Sequence, residues 1–420
     1  MTYLIVLVVI ILFGVYLARK NPKQHFLFLF SLVLYFVYCF LGPLKSYQTG
    51  NYEKLGGNYF DYFDYGIQIY CLAVFTFVIS YFLGFSYFKR EKRKIANYTL
   101  NKNSKYYLYG FFLIVTFVVY RFRQENQSDQ IEGIFNYLLF FADSLILGFA
   151  IFYYEKKQNF IIIALTVITF FYFLFLGFRY RVILLFISFF YMLLIQNKVK
   201  LSTIIKSAVF IYFFAFIINF ISVNRQVFKD RNFDAVEISQ ESPDEMSGYD
   251  YFLHQTDNYS TDFNVLKYMN KYKVDHDYGS SMFLHILIRI TPASLYQHNK
   301  KPEIPQQEII KNCFNSLGGQ ESGAAVTNIF AYYIAFGVFG VIFFMSVLAL
   351  ILAYFSKKLN LDFTRNRIII VFIAMVLFQI ITRGFFPQEF TLIVYLYITL
   401  KLFYKKIKND RYTYKYTNTL

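Results

Sequence analysis

The chain has 420 residues, of which 57% are apolar and 16% charged, with 42 Lys/Arg against 26 Asp/Glu and a net charge of +16. That apolar content lies outside the range of ordinary soluble domains. The basic excess is no nucleic-acid footprint either, because it is sorted along the chain between long apolar runs.

Apolar runs alternate with short polar breaks from Thr2 to Tyr404, and eleven membrane spans are expected, at about 2–18, 25–42, 66–88, 106–121, 134–154, 160–178, 182–195, 207–223, 326–355, 368–382 and 389–404. A span needs roughly 20 apolar residues, and the runs are too long for barrel strands. The first run has no basic residue before it and Arg19, Lys20 and Lys23 after it, the reverse of a signal peptide, so it reads as a retained span. With the N-terminus outside, the inner breaks are 19–24, 89–105, 155–159, 196–206, 356–367 and 401–420. They hold 25 Lys/Arg against only Glu91, Glu155, Asp362 and Asp410. The positive-inside pattern then places the C-terminus in the cytoplasm. Two pairs of spans join through very short outer turns, Arg179-Tyr180-Arg181 and Arg383 to Glu389. Trp is absent and Tyr abundant, so Tyr must supply the interfacial belt.

Four parts follow: spans one to eight in 1–223, a large outer loop in 224–325, spans nine to eleven in 326–404, and a basic tail in 405–420. A connection of this length is usually functional or disordered. Within it, 251–272 has near-helical apolar spacing, and Ser280 to Ile290 is apolar on one side and suited to lie flat on a membrane. The stretch 300–305 reads as an extended Pro-punctuated connector. Three scattered cysteines give no disulfide framework or metal spacing.

Arginines stand at the most constrained outer positions: Arg179, Arg181 and Arg383 on tight turns, Arg225 directly after a span, and Arg289 in the surface helix. Guanidinium forks onto phosphate oxygens, which suits a lipid-linked pyrophosphate. The competing reading is snorkelling to the headgroups. Asp275-His276-Asp277 has DxD spacing, equally a solvated loop. Asp61 and Asp64 lie before the third span, where alternating Tyr and Asp also make an interfacial belt. Four of the five histidines, His254, His276, His285 and His298, lie in the large loop, where any is a possible general base. Asp143, within a span, must face protein or water, relaying protons or pairing with an arginine. Glu321 reads as a loop or capping residue. No Walker loop, GxSxG or HExxH occurs.

The layout resembles the O-antigen polymerases, the Wzy-type oligosaccharide repeat-unit polymerases of bacteria. GFRYRVILLF (177–186) is similar to their Gly-x-Arg before an apolar helix, Thr327 to Gly340 to their aromatic-Phe-Gly-x-x-Gly segment, and Thr382-Arg383-Gly384 to the Arg-Gly between the last spans. Many members carry an acidic residue where this chain has Ala331. The resemblance implies an all-α, GT-C-like membrane fold of about eleven helices with one large extracytoplasmic loop. It implies an inverting glycosyltransferase of the inner membrane that uses no metal or other cofactor. Its donor is a growing glycan on undecaprenyl pyrophosphate and its acceptor a lipid-linked repeat unit. Chain-length regulator and flippase proteins are the further partners it suggests. Arg179, Arg181 and Arg383, with Arg225 or Arg289, would bind pyrophosphate. Asp277, His276 or His285 would take the acceptor proton. Two other readings compete: a lipid-linked oligosaccharide flippase, which Asp143 favours and the large loop opposes, and an O-antigen ligase.

Overall fold

The computed structural model describes residues 1–54, 57–89, 98–124, 138–175, 179–196, 257–291, 295–296, 301–317 and 325–407. Helices dominate: α1 (Thr2–Ala18), α2 (Phe26–Tyr35) running through a π-helical turn (Phe36–Leu41) into α3 (Gly42–Thr49), α4 (Phe60–Tyr87), α5 (Ser104–Gln124), α6 (Phe141–Tyr154), α7 (Phe160–Phe175) and α8 (Arg179–Gln196). The second half holds α9 (Asn258–Tyr272), a π-helical turn (Ser280–Leu284) leading into α10 (His285–Ile290), α11 (Pro305–Leu317), α12 (Asn328–Lys358), α13 (Thr364–Arg383) and α14 (Phe386–Phe403). Phe26–Thr49, α4, α12 and α13 are long and apolar enough to cross a membrane. The chain is an all-helical, multi-pass membrane protein, because in lipid each segment must close its own backbone hydrogen bonds. A helix occupies each expected span except 207–223, which lies outside the described residues.

Several boundaries differ from expectation. The second helical segment continues through Pro43 to Thr49, ending at Gly50 in a left-handed conformation. Helix α4 begins at Phe60, so Asp61 and Asp64 belong to its first turns and do not precede it. Arg179 and Arg181 lie in the first turn of α8, so any hairpin tip there falls in 176–178, outside the described residues. Pro305 opens α11 and does not end an extended connector. Proline suits a first helical turn, where its missing N–H has no partner to lose.

The described parts of the breaks 19–24, 89–105, 155–159, 356–367 and 401–420 meet at one end of the bundle. Strand β3 (Tyr98–Leu100) pairs antiparallel with β4 (Tyr404–Lys406). The Tyr404 hydroxyl donates to Glu155 at 2.7 Å, and the Arg365 guanidinium stacks 3.8 Å over the Tyr98 ring. The Gln24 amide reaches the Ser356 carbonyl at 3.3 Å. At the opposite end, α9 lies across α3 and α4, with the Tyr259 hydroxyl 2.7 Å from Ser46 Oγ. A small hairpin of β1 (Glu53–Lys54) and β2 (Gly57–Asn58) leads into α4 there. Gly66 permits this docking, since a Cβ at that position would lie 2.3 Å from the Phe263 ring. Helices α9, α10 and α11 pack on this end of the bundle and form a cap there.

The most extensive packing in the bundle is α4 against α12. Helix α12 is broken at Phe336 and Gly337, the glycine at φ +62° and ψ −150°. That break removes the helical donors that the Ile334 and Ala335 carbonyls would otherwise receive. Orphan carbonyls inside a membrane protein need replacement donors. The backbone amides of Asp277 and Tyr278 supply them at 3.1 and 3.0 Å. The cap segment 273–279 is therefore hydrogen-bonded into the broken helix.

Candidate functional site

Charged side chains collect at the capped end. Arg181 is 2% exposed and forks onto Asp143, Nε to Oδ1 at 3.2 Å and Nη2 to Oδ2 at 3.3 Å, while Nη2 also donates to the Leu139 carbonyl. Its guanidinium lies 4.5 Å from the Tyr180 ring centroid. The expectation that Asp143 pairs with an arginine is met by Arg181. This fork is an internal one: the geometry that suits phosphate is spent on a carboxylate in the first turn of α6. A basic residue in the first turn of a helix opposes the helix dipole, and Asp143 offsets that conflict. Arg289 approaches the same region, with its guanidinium 5.9 Å from the Phe140 ring. Arg179 begins α8, and Arg225 lies outside the described residues.

Arg383 is different, because it is exposed. It ends α13, where a cation favours the dipole, and Gly384 at φ +53° turns the chain into α14. The cap fastens this turn. Asn258 of α9 donates to the Thr382 carbonyl, and Gln306 of α11 donates to the Gly384 carbonyl at 3.0 Å. The backbone N–H of Gln306 donates in turn to Ser281 Oγ at 2.8 Å. Tyr38 and Tyr180 both lie within the electrostatic reach of Arg383. This surface arginine ends a well-anchored turn and has no ion-pair partner among the described residues.

Beyond this turn, Glu389 occupies the first turn of α14 and is 3% exposed. Its Oε1 has no hydrogen-bond partner among the described residues, and Tyr332 of α12 lies within its electrostatic reach. Sequence reasoning treated Glu389 as the end of a turn. The available signal was a carboxylate entering an apolar run six positions after an arginine. Asp262 was also missed. It is fully buried and accepts from the Tyr70 hydroxyl at 2.6 Å, the Thr327 amide at 2.9 Å and the Thr327 hydroxyl at 2.7 Å. One carboxylate thereby ties α9 to both α4 and the start of α12. Burial raises its pKa to about 7, and the three hydrogen bonds act in the opposite direction.

Of the three expected proton acceptors, His276 and Asp277 lie on the segment that joins the broken helix, and His285 opens α10. Asp277 Oδ1 accepts the Gly279 amide at 2.8 Å, which commits that oxygen to the turn. His285 is 5% exposed, and burial lowers its pKa against the opposing pull of Asp277. His276 Nδ1 lies 3.3 Å from the Ile334 carbonyl, its ring edge-on to Tyr333 at 5.8 Å. A carbonyl only accepts, so Nδ1 carries the proton and Nε2 is left as the acceptor nitrogen. Gly337 makes room for it, since a Cβ there would lie 2.9 Å from Nε2. Asp275 is exposed, and His254, His298 and Glu321 lie outside the described residues.

A family model described as O-antigen polysaccharide polymerase Wzy matches residues 1–408. The chain belongs to this family. No curated protein and no solved structure matches it. Membership makes the chain a polymerising, glycosyltransferase-type membrane enzyme of O-antigen repeat units, with a lipid-linked oligosaccharide as substrate. Within this Wzy-family chain, the capped end gathers an exposed arginine, an imidazole with an acceptor nitrogen and a buried carboxyl oxygen that has no hydrogen-bond partner among the described residues.

Proposed function

We propose that the chain transfers a growing glycan from undecaprenyl pyrophosphate to a lipid-linked repeat unit with inversion, on the extracytoplasmic face of the bacterial inner membrane. The observation that carries this reading is Arg383, exposed on a turn that the cap fastens at two carbonyls. The acceptor hydroxyl attacks the anomeric carbon as the bond from that carbon to the pyrophosphate oxygen breaks. The bonding pair leaves with the pyrophosphate, whose developing charge Arg383 stabilises. Arg289 and Arg179 are its proposed helpers, and Arg181 shapes the wall through Asp143. The hydroxyl proton passes to His276 Nε2, because the Nδ1 contact with the Ile334 carbonyl leaves Nε2 as the acceptor nitrogen of the neutral ring.

The orientation rests on charge. The end where β3 and β4 pair holds the lysine- and arginine-rich breaks, which belong in the cytoplasm, so the cap faces outward and the N-terminus lies outside. The test is a gel of surface glycan from a host lacking this gene, complemented with wild type, Arg383→Ala or Arg179→Ala. The expected result is a full ladder with wild type and a single attached repeat with Arg383→Ala, at equal membrane protein levels. Loss of all attached repeats in the deletion host favours a ligase or flippase. A full ladder with Arg383→Ala overturns the pyrophosphate role.

A further inference from the structure

The break in α12 turns the chain back on itself. A Cβ at Gly340 would collide with the Tyr332 carbonyl oxygen, the Tyr332 ring stacks on Phe344 at 5.1 Å, and Asn328 Nδ2 lies 3.5 Å from Met345 Sδ. In an unbroken helix Tyr332 and Phe344 would stand about 18 Å apart along the axis. The short arm before Phe336 therefore lies against the long arm after Gly337, and the cap holds the tip. The long arm leaves Phe339 and Phe343 exposed, Phe339 to 71%. At about 1.5 Å per residue, Phe343 stands about 9 Å below the tip, in the outer half of a hydrocarbon core about 30 Å thick.

The π-helical turn at Ser280–Leu284 and α10 cross the bundle beside it. The Phe283 ring meets Phe344 of α12 at 6.2 Å and Phe386 of α14 at 6.0 Å, and Arg289 at the far end reaches the Phe140 ring. The segment is one-sided: Ser281, Met282 and His285 are buried, while Phe283, Leu284 and Leu287 are exposed, Leu287 to 63%. Ring contacts make a continuous file, because Phe343 meets Phe344 at 5.1 Å and Phe339 stacks on Phe343 at 6.1 Å. The file starts at Phe386, three residues after Arg383, so at most about 11 Å of backbone separates them. Ser281, Gln306 and the Gly384 carbonyl fasten the same segment to that turn.

We propose that this file of rings, with Leu287 at its edge, is the docking surface for the polyprenyl chain of the lipid-linked substrate; the inference rests on the polymerase reading above. A one-sided apolar segment at this depth meets hydrocarbon. Position selects the substrate's chain over bulk acyl chains. Arg383 stands near one end of the segment and Arg289 at the other, so a lipid held there by its pyrophosphate delivers its chain to this face at high effective concentration. A prenyl chain, stiffened by a double bond in every unit, loses less freedom on a preformed surface than a saturated chain does. The surface is preformed, since Phe344 is packed between Tyr332, Phe336 and Phe283.

The test uses the absence of tryptophan from the chain. Leu287→Trp puts a single indole at the edge of the file, and Val9→Trp puts one on the exposed side of α1 as a remote control. Each full-length protein is reconstituted into vesicles of dibrominated phosphatidylcholine, which quenches an indole in contact with it. Undecaprenyl phosphate, which carries no bromine, is then titrated in. The expected result is quenching of both indoles and a saturable relief at Leu287→Trp alone, with no relief from the same amounts of phosphatidylglycerol. Phe283→Ala or Phe343→Ala in the Leu287→Trp background raises the half-relieving amount about tenfold. An unquenched Leu287→Trp, no relief, equal relief by phosphatidylglycerol or at Val9→Trp, or an unchanged half-relieving amount in both alanine variants overturns the docking surface. If Leu287→Trp does not accumulate, Leu284→Trp is read by the same criteria. Wild-type vesicles are also given the intact lipid-linked units. Chain extension without relief overturns the docking surface alone, and relief without chain extension overturns the polymerase activity while keeping the surface.

Discussion

Replacing Arg181 by Met separates a structural ion pair from a substrate-binding arginine. The guanidinium is 2% exposed and makes two hydrogen bonds to Asp143, at 3.2 and 3.3 Å. Removing it leaves a fully buried carboxylate facing a thioether. Breaking a buried pair from one side costs about 3–5 kcal/mol, or roughly two to nearly four powers of ten in the ratio of folded to unfolded protein. Replacing both partners removes the stranded charge, so Arg181→Met with Asp143→Leu is expected to recover most of that loss. The assay is retention of the monodisperse peak on size exclusion after heating in detergent, run for wild type, both single variants and the double variant. Glycan ladders from the complemented deletion host are read alongside. The expected pattern is two unstable single variants and a double variant with restored stability and restored chain extension. Arg181→Met with wild-type stability and no chain extension, unrelieved by Asp143→Leu, would refute the structural assignment and put Arg181 on the substrate.

The Asp262 tie predicts a pH dependence of cap docking. Its folded pKa of about 7 lies above the ordinary carboxylate range, so the folded state holds more protons than the unfolded one across roughly pH 4 to 7. The stabilisation is therefore complete below about pH 4 and is lost as pH rises through 7, a change on the order of 4 kcal/mol. The protection of 258–272 against hydrogen exchange, taken relative to the intrinsic rate at each pH, should fall from pH 5 to pH 8 in wild type and stay level in Asp262→Asn; equal slopes would refute the tie. Gly337→Ala forces a side chain into φ +62° and against His276 Nε2. It should cut chain extension at least about tenfold while leaving protein in the membrane, and a wild-type ladder would show that the break in α12 has no role. Glu389→Gln keeps the shape and replaces a buried carboxyl group whose Oε1 lacks a partner among the described residues. Lost chain extension at wild-type protein levels is expected from a polar group kept inside a bundle, and an unaltered ladder would make the carboxylate dispensable.

The class of the protein and the grouping of its breaks were legible from residue order alone. Apolarity of a run and the charge of the break beside it are local properties, and a bilayer converts them directly into helices and ends. The helical pattern of 258–272 and the one-sided apolar stretch at 280–290 were legible for the same reason. Arg383 was singled out because an arginine on a short turn is visible locally. Tertiary structure decided which charge meets which. Arg181 and Asp143 are 38 positions apart, and Asp262 meets Thr327 across 65. No spacing rule joins them, since the pairing follows from how α6 packs on α8 and how α9 seats on α4 and α12. The same holds for the carbonyls freed at Gly337, whose donors come from another part of the chain. A sequence states where polar groups must be satisfied; the packing of distant helices selects the partner, because hydrogen bonds act over about 3 Å and the chain reaches that distance only once it is folded.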